Sequence, residues 1–485
     1  MDLISIIFIL YLVFLLGVGV WTFKFNKTQE DYLLAGRRLG PWVTAFSERA
    51  SGESAWLLLA LPGAAITVGL GESWTVMGII LGIIASWFLI AQKLREETEK
   101  YRALTIPEYL HRRFDDHTNI IRLFSAIIIA FFFTFYVSAQ FHASGKVLHS
   151  LFNMNPIYGI SIGATIIIVY TLMGGFFAVA WTDLLQGILM FGTLIILPIA
   201  GFIELQSSER TLVDSLSQAE TIFNGHNTSY LMGKSGISAL MAALGGLSWG
   251  LGYLGQPHLL VRYMAIRKSE EVKIARKIAI AWAIPGITGA FLIGLVALVY
   301  FGPEYFQYVD SEQAMPRLAS ELLHPIIAGL FISGAVAAIM STADSQLLVS
   351  TSAVTEDFGF GISIKGKILS SVTNSRIFIL ILGLFAFGIA VFSELQGKKI
   401  FGVVSYAWSG LGSAFGPALV LTLWWKKTTR KGIIAGLTTG FFTTVLWVNI
   451  ESLQTSVTER LASFIFAFMI IIIVSIIDGR KNSGT

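Results

Sequence analysis

Ala335-Val-Ala-Ala-Ile-Met-Ser-Thr-Ala-Asp-Ser345 lies inside an apolar stretch long enough to cross a membrane. It places hydroxyls and a carboxylate at helical spacing. Ala338, Ser341, Thr342 and Ser345 fall at i, i+3, i+4 and i+7, so they share one helix face. Asp344 stands three residues beyond Ser341 and flanks that face. Hydroxyl, carbonyl and carboxylate oxygens are the ligands that hard cations take. Small residues by themselves also serve close helix packing. Packing has no use for a carboxylate, and an ionisable group at membrane depth is costly and marks a functional position.

The rest of the chain has the composition such a helix needs. Of 485 residues, 54% are hydrophobic and 13% charged, about half the charged fraction of a soluble domain. The mean hydropathy is +0.71. The expected fold class is an all-α polytopic membrane protein, a single transmembrane domain over 1–485. There is no cysteine, which excludes a disulfide framework, a thiol nucleophile and a Cys metal site. Apolar segments of crossing length fall at roughly 3–23, 42–68, 74–92, 123–148, 156–175, 180–203, 236–262, 278–301, 325–350, 377–393, 400–425, 432–449 and 461–477. That makes about 13 transmembrane helices. The first lacks the flanks of a cleaved signal peptide and is kept as a span.

The loops alternate in charge. On one side lie 26 of the 34 Lys and Arg residues, among them Lys24, Lys27, Arg262 and Lys365, against 6 on the other. By the positive-inside rule the expected orientation puts the N-terminus outside and the C-terminus in the cytoplasm. Thr105-Ile-Pro-Glu108 in the loop 93–122 reads as a helix start. The loops 204–235 and 302–324 either cover the outer mouth or are solvated connections.

Two spans read as interrupted. Ser47-Glu-Arg-Ala-Ser-Gly-Glu-Ser-Ala-Trp56 puts charge and a glycine in the second. Gly245-Gly-Leu-Ser-Trp-Gly-Leu-Gly-Tyr-Leu-Gly-Gln-Pro257 puts five glycines and a proline in the seventh. Such residues weaken a helix interior, and unwound backbone at membrane depth survives only when it lines a cavity or is buried in protein. Paired interruptions in corresponding places point to a midplane binding site of a secondary transporter. Glycines that merely let helices approach are the competing reading.

Several motifs then converge. Gly36-Arg-Arg-Leu-Gly-Pro41, Ser54-Ala-Trp-Leu-Leu-Leu-Ala-Leu-Pro-Gly63, Leu104-Thr-Ile-Pro-Glu-Tyr109 and Gly174-Gly-Phe-Phe-Ala-Val-Ala-Trp-Thr-Asp183 occur in order. Trp249-Gly-Leu-Gly-Tyr-Leu-Gly-Gln-Pro-His258, Ala337-Ala-Ile-Met-Ser-Thr342, Gln346-Leu-Leu-Val349 and Ser405-Tyr-Ala-Trp408 follow. With them the chain resembles the sodium/solute symporter family, and within it the sodium/proline symporters. The resemblance implies a five-plus-five inverted repeat with two broken helices. It would run over 42–203 and 236–425, with the extra N-terminal span 3–23 before it and the two C-terminal spans 432–477 after it. It also implies that sodium and a small solute, most simply L-proline, enter together by alternating access.

The resemblance further implies a main sodium site from the carbonyls of Ala50, Glu53 and Ala338 with the hydroxyls of Ser341 and Thr342. An unwound turn frees such carbonyls. A second sodium position would use Asp183 with Ser341, Asp344 and Ser345. The substrate pocket would involve Ser54, Trp56, Tyr136, Trp249, Tyr253 and Pro257, where aromatic faces suit a pyrrolidine ring and its ammonium. The chain departs from the proline symporters in one place. They carry Asp-Met where this chain has Gly52-Glu53. Either Glu53 takes over the missing charge, or Arg49 and Glu53, at i and i+4, form an internal pair. Other expected solutes are another amino acid, a carboxylate such as pantothenate, or a sugar. A membrane-embedded enzyme would need a converging nucleophile and base or an acidic metal motif, and the histidines show no metal-ligand spacing. No nucleic-acid partner is expected.

Overall fold

The computed structural model describes residues 3–22, 34–173, 176–357, 363–364, 367–368 and 371–483. Phe23, at the end of the first expected span, lies outside these residues. So do Lys24, Lys27 and Lys365 of the charge count and Gly174 and Gly175 of the quoted motif. Hydrocarbon offers backbone groups no partner, so helices satisfy their own hydrogen bonds internally, and the described chain is helical apart from connections and one two-residue hairpin, Ser363–Ile364 with Lys367–Ile368.

Helix starts follow the local chemistry. Pro41, Pro257 and Pro325 each open a helix, where a missing N–H costs nothing. Thr105 caps Ile106–Arg113 by accepting from the Glu108 N–H at 3.1 Å. Gly69, at φ +73°, ends Leu61–Val68, in the left-handed region that glycine enters freely.

Each of the thirteen expected segments contains helix. Among the described residues, nine helices are long and apolar enough to cross a membrane, or ten if the bent pair Gly236–Gly252 and Pro257–Ala265 is one span. Length and hydropathy therefore do not establish the number thirteen. The broken spans fall into short pieces, and the second and third expected spans overlap one run, Trp56–Lys100.

Burial sorts the spans. The apolar window of Pro325–Asp357 is 83% buried, that of Thr373–Leu395 only 28%. The first is the central post of the molecule, and the second presents Leu380, Leu384, Phe385 and Phe392 outward, as a lipid-facing helix does. Against the post pack Leu3–Thr22, Ile120–Phe152, Phe176–Leu205 and the first half of the broken second span, Pro41–Gly52.

The two long loops are packed connections. Helix Leu212–Phe223 forms within 204–235. Asn227 is buried there and donates to the carbonyls of Ile66 and Thr67 at 3.0 and 3.1 Å. In 302–324, Asp310 accepts at 2.6 Å, and Glu312 also accepts, from Lys146 of helix Ile120–Phe152. Glu312 also accepts from the N–H groups of Ile400 and Phe401 at 3.2 and 3.3 Å, which fastens the loop to a helix N-terminus.

Candidate functional site

The second span stops being regular at Glu53 (φ −103°, ψ 70°) and resumes as a π-helical turn, Trp56–Ala60, before Leu61–Val68. Carbonyls of its last regular turn are thereby left without helical partners. The hydroxyl face of Pro325–Ser352 meets them. Ser341 Oγ donates to Ala50 O at 2.9 Å and lies 3.2 Å from Ala338 O. Thr342 Oγ1 donates to Ser51 O at 3.0 Å. Five oxygens, from Ala50, Ser51, Ala338, Ser341 and Thr342, are thus gathered between a broken helix and an intact one, and all five residues are buried. The carbonyl that meets Thr342 belongs to Ser51, two residues before Glu53.

A second oxygen cluster lies beside it. Asp183 Oδ2 accepts from Ser47 Oγ at 2.6 Å and from Ser51 Oγ at 3.1 Å. Ser51 Oγ is also 3.0 Å from Ser345 Oγ. Asp344 turns elsewhere and accepts from Thr171 Oγ1 at 2.7 Å. Arg262, counted from sequence among the loop cations, is fully buried in this second cluster on helix Pro257–Ala265. The burial of Arg262 has a simple cause. A charge at the end of an apolar run reads as a boundary, but the bend in the seventh span, 44° between its halves, leads the second half into the protein.

The charges of the second span form one buried group. Arg49 Nε donates to Glu48 Oε2 at 2.6 Å, Nη2 binds Glu48 Oε1, and Nη1 donates to Glu53 Oε1 at 2.7 Å. The internal Arg49–Glu53 pair foreseen from spacing is therefore present. Glu48 also accepts from Trp87 Nε1 at 3.1 Å and from Tyr263 OH at 3.3 Å. Tyr253 OH donates to Glu53 Oε1 at 3.1 Å, while Glu53 Oε2 is buried with no partner. Two carboxylates and one guanidinium leave a formal charge of −1.

Five of the six expected pocket residues, Ser54, Trp56, Tyr136, Trp249 and Tyr253, surround the same break. Trp56 and Trp249 stack at 6.0 Å and 24°. Tyr253 meets Trp408 edge-on at 4.6 Å, and Tyr136 meets the same indole at 6.4 Å. Ser54 Oγ is 3.5 Å from Tyr136 OH. Pro257 starts its helix and lines a small cavity with Leu104, Ile129, Val261 and Val349. Gln140 and Trp408 complete this wall; neither was expected in the pocket, although Trp408 closes one of the quoted motifs. Gln140 Oε1 takes the freed N–H of Ala55 at 3.2 Å, and Trp408 Nε1 donates to the Trp249 carbonyl at 3.0 Å. A lone amide in the apolar run 123–148 was the available signal for Gln140.

Glycines allow this approach. A Cβ at Gly252 would run into the Trp408 indole, and one at Gly255 into the Gly416 backbone. Close packing and interruption in the seventh span are thus one feature. Among the described residues no group of three or more His, Cys, Asp and Glu side chains forms a metal cage.

Comparison with known proteins agrees with this architecture. The model of the sodium:solute symporter family matches residues 32–440. The chain is 40% identical over 474 residues to the high-affinity proline transporter PutP of Bacillus subtilis, covering 97% of each chain. It is 36% identical over 483 residues to the sodium/proline symporter of Escherichia coli, covering 98% of this chain and 93% of that one. Among solved structures it resembles a Na+-coupled sialic acid symporter, with a TM-score of 0.79 at 18% identity over 98% of both chains. It resembles MhsT in complex with L-phenylalanine less closely, with a TM-score of 0.54 at 14% identity over 90% of this chain and 97% of that one. These last two establish the fold alone. With a family match over most of its length and near-full-length relatives above 30% identity, this multi-pass membrane protein belongs to the sodium:solute symporter family.

Proposed function

We propose that the chain imports L-proline together with sodium by alternating access across a bacterial inner membrane, with its N-terminus outside and its C-terminus in the cytoplasm. The observation that carries the ion is the gathering of five oxygens where the broken second span meets Ser341 and Thr342. In this reading the main sodium ligands are the carbonyls of Ala50, Ser51 and Ala338 and the two hydroxyls, with Glu53 supplying negative charge alongside its own carbonyl. The solute is suggested by relatives named for proline at 36–40% identity. It is also suggested by the aromatic wall of Trp56, Tyr136, Trp249, Tyr253 and Trp408, which suits a small apolar zwitterion.

Segments 42–203 and 236–425 form the two repeats, each opening with a broken span. The energetics suffice. Moving one charge through ~150 mV releases about 3.5 kcal/mol, and a tenfold sodium gradient adds about 1.4 kcal/mol. Gly52, where the proline symporters have Asp, gives a second reading some weight, in which sodium drives another small solute.

Proteoliposomes with an imposed sodium gradient test both. Labelled proline should accumulate with sodium and not with potassium or choline. Sodium-driven uptake of a different solute, with no competition from proline, selects the second reading. Uptake indifferent to the cation removes sodium coupling altogether.

A further inference from the structure

The last span, Glu459–Ser483, lies outside both proposed repeats, yet its first turn reaches the aromatic wall of the pocket. The Arg460 guanidinium stands over the Trp249 ring, 4.6 Å from its centre. Its Nη1 donates to Ser405 Oγ and, at 3.2 Å, to Glu459 Oε1. Glu459 is buried and is itself tied down. Its Oε1 accepts from Ser405 Oγ at 2.9 Å and its Oε2 from Gln454 Nε2 at 2.8 Å. Arg460 Nε is buried with no hydrogen-bond partner. Hydrogen bonds therefore fix one end of the guanidinium, and attraction to the indole ring accounts for the rest of its position.

Trp249 needs such a support. It begins the four-residue helix Trp249–Gly252, in a stretch where Gly245, Gly246, Gly250 and Gly252 carry no side chain to brace their neighbour. Its ring meets Trp56 at 6.0 Å, Phe401 at 4.9 Å and Arg460. A cavity of about 600 Å³, lined by Glu72, Met241, Phe401, Thr458 and Arg460, opens onto Trp249, on the side that the proposed orientation puts outside. The ring thus has space beside it into which it could swing away from Trp56. Glu459 and Arg460 cancel in charge, so the brace leaves no unpaired ion of its own. Ser405 and Trp408, three apart on helix Ile400–Trp424, share one helix face. Both act on the same tryptophan, the first through Arg460 and the second at the Trp249 carbonyl. None of these contacts involves the five oxygens gathered at Ser341 and Thr342. We infer that Arg460 is a positioning residue of the solute pocket. From a span outside both repeats it keeps the Trp249 ring against Trp56, and so it sets the affinity for the solute and not that for sodium.

This inference rests on the proposed solute pocket, and a measurement that needs no solute separates the two. Uptake into proteoliposomes is followed with labelled proline, or with the solute that replaces it under a sodium gradient. Arg460→Gln should raise the solute concentration for half-maximal uptake roughly tenfold. The maximal rate and the sodium half-saturation should stay within about twofold of wild type. Arg460→Lys, whose ammonium also sits favourably over an indole, should recover most of the loss. Because the two residues act together, Trp249→Phe with Arg460→Gln should be no worse than Trp249→Phe alone. An unchanged solute requirement in Arg460→Gln overturns the inference. So do additive effects of the two changes, or an equal rise in the sodium requirement. Without any solute, acrylamide should quench the tryptophan fluorescence of purified Arg460→Gln more than that of wild type. That difference should vanish when both proteins carry Trp249→Phe. Equal quenching defeats the inference. A Trp249-dependent difference in a protein that takes up no solute supports the brace and counts against the transport reading instead. Where Arg460→Gln does not fold, Arg460→Gln with Glu459→Gln, which leaves no charge unpaired, takes its place in both measurements.

Discussion

The two broken spans do opposite things with the same device. The break in the second span falls among charges. It frees carbonyls of Ala50 and Ser51 for the hydroxyls of the central post and gathers Glu48, Arg49 and Glu53 into a buried group of net −1. The break in the seventh falls among glycines. It bends the span by 44° and brings a positive group, Arg262, to oxygens contributed by three other helices. One interruption gathers a group with an excess negative charge, and the other delivers a positive side chain to Asp183. Unwinding frees backbone groups in both cases, but the side chains beside the break decide the sign of the charge that the site accepts.

The strongest way to break this contrast is to remove the cation inside the negative group. Arg49→Ala leaves Glu48 and Glu53 buried without their partner, and losing one member of a buried pair costs about 3–5 kcal/mol. The expected outcome is loss of monodisperse protein in size-exclusion chromatography. Normal yield and thermal stability would show that water reaches the group.

Ser341→Ala and Thr342→Ala act on the ion directly. Each removes one of five gathered oxygens, and each should raise the sodium concentration for half-maximal uptake by about tenfold, ~1.4 kcal/mol. Wild-type sodium dependence in both variants would move the ion elsewhere.

Glu53→Gln keeps the shape of the group and cancels its net charge. Half-saturation by sodium should rise roughly fivefold, about 1 kcal/mol, with a smaller change in the solute concentration needed. An unchanged sodium response would reduce Glu53 to a structural partner of Arg49.

The smallest effect belongs to a carboxylate outside both breaks. Burial pushes Asp310 up, but Lys146 and Lys399 outweigh it and hold the carboxyl well below its usual range. A depressed folded pKa contributes stability in full above the unfolded value of about 3.9, and that stability is lost only as pH falls through the folded value. Asp310→Asn should therefore lower the melting temperature by a degree or two, ~0.5 kcal/mol for a partly exposed pair, and by the same amount at pH 7 and pH 5. A penalty that vanishes by pH 5 would mean that the lysines do not control this carboxyl.

Several features were legible residue by residue. The hydroxyl face of Ser341, Thr342 and Ser345 follows from a spacing of three and four, and the helix keeps that face toward the second span. The cap at Thr105 and the breaks near Gly52 and Gly255 were equally local. Other features were not. Thr342 meets the carbonyl of Ser51 because the helix remains regular to Gly52, and no pattern in the chain states how far an irregular turn extends. Gln140 and Trp408 join the pocket wall from helices distant in sequence. Asp344, one residue from Ser345, faces Thr171 because neighbours on a helix point about 100° apart.

Periodicity, hydropathy and charge alternation are properties of neighbouring residues, so they determined by themselves that this is a helical membrane protein with two interrupted spans and a hydroxyl-bearing central helix. Which charges lie in the core could be decided only by tertiary structure. Arg262 has the same composition around it whether the chain leaves the membrane there or bends inward, and its burial depends on Asp183 and Ser51 arriving from other helices. A buried ion is stable only with its partner, and that partner is 79 and 211 positions away.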